Sequence, residues 1–270
     1  MSEISKPIKR SLLRAKAGMV YYGLKRRFMW VGMRNVFAHE FKEPLAYEIF
    51  THQTPLLRQL KDVEMKYQYN KIINLKLAVK TMNGVVLHPG EVFSYWKLIG
   101  KPTKSKGYVE GMVLDHGYFS YGIGGGLCQL SNLIFWLSIH TPLTIVERHR
   151  HSYDVFPDAK RTQPFGSGAT CFYPHGDLMI QNDTNQDFQL MVEVGEKMLI
   201  GAWRSSAPLD VSYEIVERNH EMRAETWGYS RHNELYRQCY DLQGNLVNEE
   251  FLLSNHAMMM YTPFLENVNK

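Results

Sequence analysis

The sequence predicts an α+β fold, in which a central apolar helix starting at Cys128 packs on a mainly antiparallel sheet behind a helical N-terminal extension. Three observations predict it. Leu130, Leu133, Ile134, Phe135, Trp136, Leu137 and Ile139 make the 128–140 stretch apolar nearly all round, and such a helix belongs inside a core. From residue 170 onward short apolar or alternating runs are separated by Pro-His-Gly, Asn-Asp-Thr-Asn and Gly-Glu-Lys turns, as in antiparallel strands. Residues 8–30 set an approximate apolar stripe (Leu12, Leu13, Val20, Leu24, Phe28, Met29) among cations, which reads as a basic amphipathic helix.

These features divide the chain into a basic helical extension over 1–69, a core over 70–205 and a short-strand extension over 206–270 that packs on the core. Within the extension, Leu45 to Phe50 is a short helix or strand between Pro44 and Pro55. Residues 57–83 read as two helical pieces, stopped by the turn dipeptide Asn83-Gly84. Val85-Val86-Leu87 is a buried strand, and Val92 to Trp96 is extended. Tyr108–Leu114 and Tyr118–Ser120 form a hairpin about Asp115-His116-Gly117. After the helix, which Pro142 ends, Thr144 to His149 is a strand with His151 near its end. Strands are expected over 170–173, 177–181, 187–194, 198–203 and 211–216. Beyond 217 the chain turns polar, with turns at 231–234 and 242–245 linking further short strands.

With 44% hydrophobic and 13% aromatic residues, the 270-residue chain can build a core. Residues 1–34 hold nine Lys or Arg against Glu3, a local net of +8; the total of +4 therefore leaves the rest at −4. A uniformly basic nucleic-acid surface is absent, so no nucleic-acid partner is expected. The basic block suits either a solvated helix or contact with anionic lipid head groups. Three cysteines are too few for a disulfide framework and suit a reducing compartment. No secretory signal and no run of 18 apolar residues is visible, so the expected place is the cytoplasm, with peripheral contact at the inner membrane face through the basic helix.

The chemistry concentrates at Gly124-Gly125-Gly126-Leu127-Cys128-Gln129-Leu130-Ser131. A cysteine at a helix start meets unpaired backbone N–H groups and the helix macrodipole, both of which favour a thiolate. The glycines admit close approach and leave N–H groups as oxyanion donors. The same pattern also describes a buried structural cysteine behind a tight turn. His149 and His151 alternate with Arg148 and Arg150 and share one strand face. His151, nearer the strand end, is the candidate base; Cys128 is the candidate nucleophile and Gln129 an oxyanion helper. Gly124, Gly125, Gly126, Ser131, His149 and Arg148 are candidate binding residues. An orienting third group would be Asp154, Asp158 or Asp177. His116 also precedes the cysteine, without a signature that includes it. No zinc spacing, Walker loop or G-x-G-x-x-G occurs, so no metal and no cofactor is expected.

At these residues the chain resembles the VanW family, associated with B-type vancomycin resistance clusters. The resemblance runs through Pro89-Gly90-Glu91-Val92-Phe93-Ser94, Gly107-Tyr108, the Gly124–Ser131 stretch, Glu147-Arg148-His149-Arg150-His151-Ser152 and Asp177-Leu178 to Asn182-Asp183-Thr184, over about residues 70–203. It implies a cell-envelope or glycopeptide-resistance context and attaches no reaction. Many members read glycine-x-aspartate-alanine-threonine where this chain has Gly166-Ser167-Gly168-Ala169-Thr170. If that aspartate orients a histidine in those members, this chain, with Gly168, must use another group or lacks catalysis.

Two functions follow as expectations. One is a cysteine-dependent hydrolase or acyl transferase of papain or NlpC type, with Cys128 as nucleophile and His151 as base, acting on a peptide or amide related to cell-wall precursors. The other is a non-catalytic accessory protein that binds a cell-wall peptide or a protein partner at the membrane face.

Overall fold

The computed structural model describes residues 11–57, 64–115, 117–155 and 163–263. Among them helices and mostly antiparallel sheets form an α+β fold. Helix α1 (Leu12–Gly32) begins at Ser11, whose hydroxyl accepts the Arg14 N–H, as a helix start favours. Strands β1 (Glu40–Phe41) and β2 (Tyr47–Pro55) follow, then α2 (Met65–Val79), β3 (Val85–Leu87), β4 (Val92–Ser94) and α3 (Tyr95–Ile99). A 3₁₀ turn at Lys104–Lys106 leads to the hairpin of β5 (Glu110–Asp115) and β6 (Tyr118–Ile123), and then to the central helix α4 (Cys128–Ile139). After α4 come β7 (Thr144–Glu147), β8 (Tyr153–Asp154), β9 (Met179–Gln181), β10 (Phe188–Val194) and β11 (Met198–Ser205). The last three strands are long: β12 (Val211–Glu225), β13 (Gly228–Asp241) and β14 (Leu246–Met259).

The core sheet has the order β1-β3-β10-β11-β2, antiparallel throughout. Helix α4 packs on β11, β2 and β7. It meets that sheet through residues that are apolar on most sides, which is why Leu130 to Ile139 are all buried apart from the exposed Asn132. A buried polar bond crosses the contact: Trp203 Nε1–H donates to Ser138 Oγ at 2.9 Å, satisfying a fully buried indole. A smaller sheet, β4-β9-β7, lies beside the start of α4, and β12-β13-β14-β8 forms the C-terminal layer.

Four local expectations are corrected. The extended reading of Val92 to Trp96 holds only to Ser94, whose hydroxyl accepts the Lys97 N–H and starts α3. The strand from Thr144 stops at Glu147, so His149 and His151 lie beyond it. Residues 170–173 form no strand; Phe172 makes only an isolated bridge to Gly176. Arg231 to Glu234 is no turn but the middle of β13, paired on both sides with β12 and β14. Its polar residues misled because their partners are polar too: Asn233 bonds Asn255, Phe165 O and Glu217. His116 and Asp158 lie outside the described residues.

Candidate functional site

The turn before α4 is filled by its own chain. Gly126 has φ +90, a conformation open to glycine, and a Cβ there would stand 2.3 Å from the Lys71 stem. Gly125 is pressed on the hairpin: a Cβ would stand 2.1 Å from the Gly111 carbonyl. Two of the loop's N–H groups are already used, Gly124 N–H donating to Val109 O and Gly125 N–H to Gly122 O, each at 3.0 Å. Asn74 on α2 locks the arrangement, donating to Gly125 O at 2.9 Å and to Val109 O at 3.0 Å while accepting the Val109 N–H.

Cys128 opens α4, and its residue keeps some exposure. Burial pushes its thiol up, although its own N–H and that of Cys171 point at the sulfur and pull the other way. Desolvation thus outweighs these two N–H groups. Cys171 is displaced further: burial raises its thiol well above the ordinary value, and the neighbouring Cys128 and Asp177 add to that. Tyr95 closes the cluster, donating from its hydroxyl to Leu127 O at 2.9 Å. Ser131 Oγ–H is directed between Ala169 O, at 2.6 Å, and Cys128 O, at 3.2 Å. Gln129 points away from the sulfur, donating to Thr54 Oγ1 and Pro55 O on β2.

Beside the cysteines lies a buried charged network. Arg26 from α1 holds Glu147 with two nitrogens, at 2.5 and 2.7 Å, and donates to His175 O. Glu147 also bonds His149 Nε2 at 2.8 Å and accepts the Asp177 N–H at 3.0 Å. Burial pushes the Glu147 carboxyl up, but the bonds from His149, Arg26 and Asp177 N–H overcome it and hold it at about 2. Asp177 goes the other way. Burial raises it to about 6 against the bonds from Ser94 Oγ–H and the Trp96 N–H.

The sequence-predicted residues are therefore distributed as follows. Cys128 and Ser131 share one cluster with Cys171 and Asp177. His149 joins the same network through Glu147, its ring edge-on to Phe172 with centroids 5.2 Å apart. Among the described residues no hydrogen bond or ion pair joins Cys128 to His149 or His151. Burial and the adjacent Arg150 lower the His151 imidazole. Arg148 staples a loop, donating to Gly168 O at 2.8 Å, Gly166 O at 2.5 Å and Asn255 Oδ1 at 3.2 Å. Asp154 lies away from this cluster, bonded by Tyr261 and near Arg231. At Gly168 a Cβ would stand 2.5 Å from Asn132 Oδ1, which accepts the Ala169 N–H at 2.9 Å. Asn132 of α4 thus holds this loop at Gly168. Among the described residues no group of three or more His, Cys, Asp or Glu is placed to hold a metal ion.

Arg26, Tyr95 and Asn132 were not singled out from the sequence. Nothing distinguishes Arg26 from the other cations of its helix. Cys171 is likewise given no role by the sequence, where it is one of three cysteines without a shared pattern.

The family model described as VanW like protein matches residues 70–204. The chain is 32% identical over 229 residues to the Vancomycin B-type resistance protein VanW of Enterococcus faecalis, covering 84% of this chain and 83% of that protein. It is also 32% identical over 133 residues to the Uncharacterized protein YoaR of Bacillus subtilis, covering 49% of this chain and 42% of that one. No solved structure gives a significant match. The motif order, its packing around α4 and these similarities agree: the chain belongs to the VanW family.

Proposed function

We propose that this chain serves glycopeptide resistance, or the cell envelope more broadly, as an accessory protein that binds a cell-wall peptide or a protein partner without cleaving it. The context rests on the resistance named for the Enterococcus relative and on a similarity that runs along most of both chains. The observation that carries the non-catalytic part is Cys128. Its thiol is pushed up by burial, and no histidine among the described residues bonds it. A nucleophilic cysteine needs the reverse, a thiolate favoured at neutral pH or a base within reach. Three free thiols suit a reducing compartment, and we place the protein in the cytoplasm.

We assign the peptide to a cleft of about 390 Å³ between the end of α4, β7, β13 and β14. Leu143, Ile145, Phe251 and Leu252 supply apolar lining, with Arg148 and the Arg237–Glu250 pair beside them. The test titrates a synthetic cell-wall stem peptide into the purified protein by calorimetry and scores resistance in cells. Phe251→Glu, at a half-exposed position, abolishes binding and Cys128→Ser leaves both readouts intact. Loss of resistance in a folded Cys128→Ser variant would overturn the proposal.

One observation favours the cysteine hydrolase or acyl transferase instead. Asp177, an electrostatic neighbour of Cys171, titrates at about 6, within reach of acid–base work near neutral pH. On that reading Cys128→Ser and Asp177→Asn both abolish resistance while the protein stays folded.

A further inference from the structure

Helix α1 has two apolar faces. The inner face carries Tyr22, Arg26, Met29, Trp30 and Met33: Tyr22 stacks on His175, Arg26 enters the Glu147 network, and the other three pack on Phe37, Val92 and Met179. The outer face carries Leu13, Ala17, Val20, Leu24, Phe28 and Val31, spaced three or four residues apart and all exposed. The large ones stand far out, Leu13 at 82%, Phe28 at 75% and Val31 at 69%. At about 1.5 Å per residue this stripe runs about 27 Å along the surface. Cations border it: at about 3.6 residues per turn, Lys16 and Arg27 lie on one side and Arg14 and Lys25 on the other. All four are exposed, and residues 11–34 contain no Asp or Glu.

We propose that the outer face of α1 lies in the surface of an anionic lipid bilayer. Apolar side chains in one stripe with cations along both margins match the acyl boundary and the acidic head groups above it. No helix of the described residues is long and apolar enough to cross a membrane, so contact is by this face rather than by a span. A second copy of the chain fits the stripe poorly. Face-to-face packing would set the bordering cations of both copies against one another, with no acid on either helix to offset them. The inner face fixes what the membrane contact does. Through Arg26 and Glu147 the docked helix holds the Cys128–Asp177 cluster at a set orientation to the lipid surface. The proposal is independent of whether that cluster binds or cleaves.

The test is sedimentation of the full chain with vesicles of phosphatidylcholine alone and of phosphatidylcholine mixed with phosphatidylglycerol. The protein is expected to bind the mixed vesicles, more weakly as salt rises, and the neutral ones far less. Leu24→Glu with Phe28→Glu, and separately Lys25→Glu with Arg27→Glu, each lower the partition at least about tenfold. All four side chains are exposed, so thermal melts of the variants stay near that of the parent protein. The proposal is overturned if the parent protein ignores anionic vesicles at low salt, or if both double variants bind as it does. It is equally overturned if light scattering shows a dimer that Phe28→Glu disperses while vesicles are not bound, since a second copy then covers the stripe.

Discussion

Two neighbouring carboxyl groups are driven in opposite directions, and each has a measurable consequence. Glu147 is held at about 2 by its bonds to His149, Arg26 and Asp177 N–H, against burial. Its folded value lies below the unfolded one, so its contribution is full above about 4.5 and is lost as pH falls through about 2. Asp177 is raised to about 6 by burial, so the folded state keeps a proton that the unfolded chain releases near 3.8. Stability therefore falls as pH rises from about 4 through about 6, by about 3 kcal/mol. Asp177→Asn keeps oxygen for the Trp96 and Leu178 N–H groups, and is expected to flatten that fall in urea melts taken across the range. Arg26→Met leaves Glu147 without its main cation. It should cost about 2–3 kcal/mol, below the range for fully buried pairs because the Glu147 side chain keeps 22% exposure. Adding Glu147→Gln should recover part of the loss, which a double-mutant cycle reads directly. The cysteine and serine of this site are legible in the sequence because glycines and an apolar helix frame them. Arg26 is not, since only a contact 121 residues away selects it from a row of cations.

Among the elements, the glycine turn and α4 form a unit with the β5–β6 hairpin and α2. The sequence predicts the helix nearly to the residue and the hairpin to within three residues at its strand ends, because turn residues and all-round apolarity are local signals. It does not reveal that the glycines serve packing. A turn that admits a substrate and one that admits Gly111 ask for the same residues. Gly125→Ala separates the two: with backbone 2.1 Å from the added carbon, the hairpin must part from the turn, at a cost of about 3 kcal/mol in denaturant melts. Gly168→Asp is gentler. The obstruction is the end of the exposed Asn132 side chain, which swings aside and gives up the Ala169 N–H, costing about 1 kcal/mol. From sequence the long strands β12 to β14 look like shorter pieces, because mid-strand polar residues resemble turns when their cross-strand partners are unknown.

Across the whole molecule, the C-terminal sheet is tied to the core at several points. Arg237 donates to Thr141 O and, at 3.2 Å, to Leu143 O just beyond α4, and it pairs with Glu250. Asn233 and Asn255 both donate to Phe165 O, and β14 runs parallel to β8. Arg237→Ala strips two carbonyls of a charged donor, and is expected to cost about 2–3 kcal/mol in a chemical denaturation curve. At the same scale, α1 joins the core on one side and offers a cation-bordered apolar stripe on the other. Binding without cleavage, as proposed for this VanW-family protein, depends on the state of one sulfur. The most direct measurement is the rate of Cys128 alkylation by iodoacetamide as a function of pH, read by peptide mass spectrometry on the folded protein. The account predicts slower labelling at neutral pH than an exposed model thiol shows, with the rate rising only above the ordinary cysteine range. Rapid labelling at neutral pH, with a midpoint below that range, would contradict it.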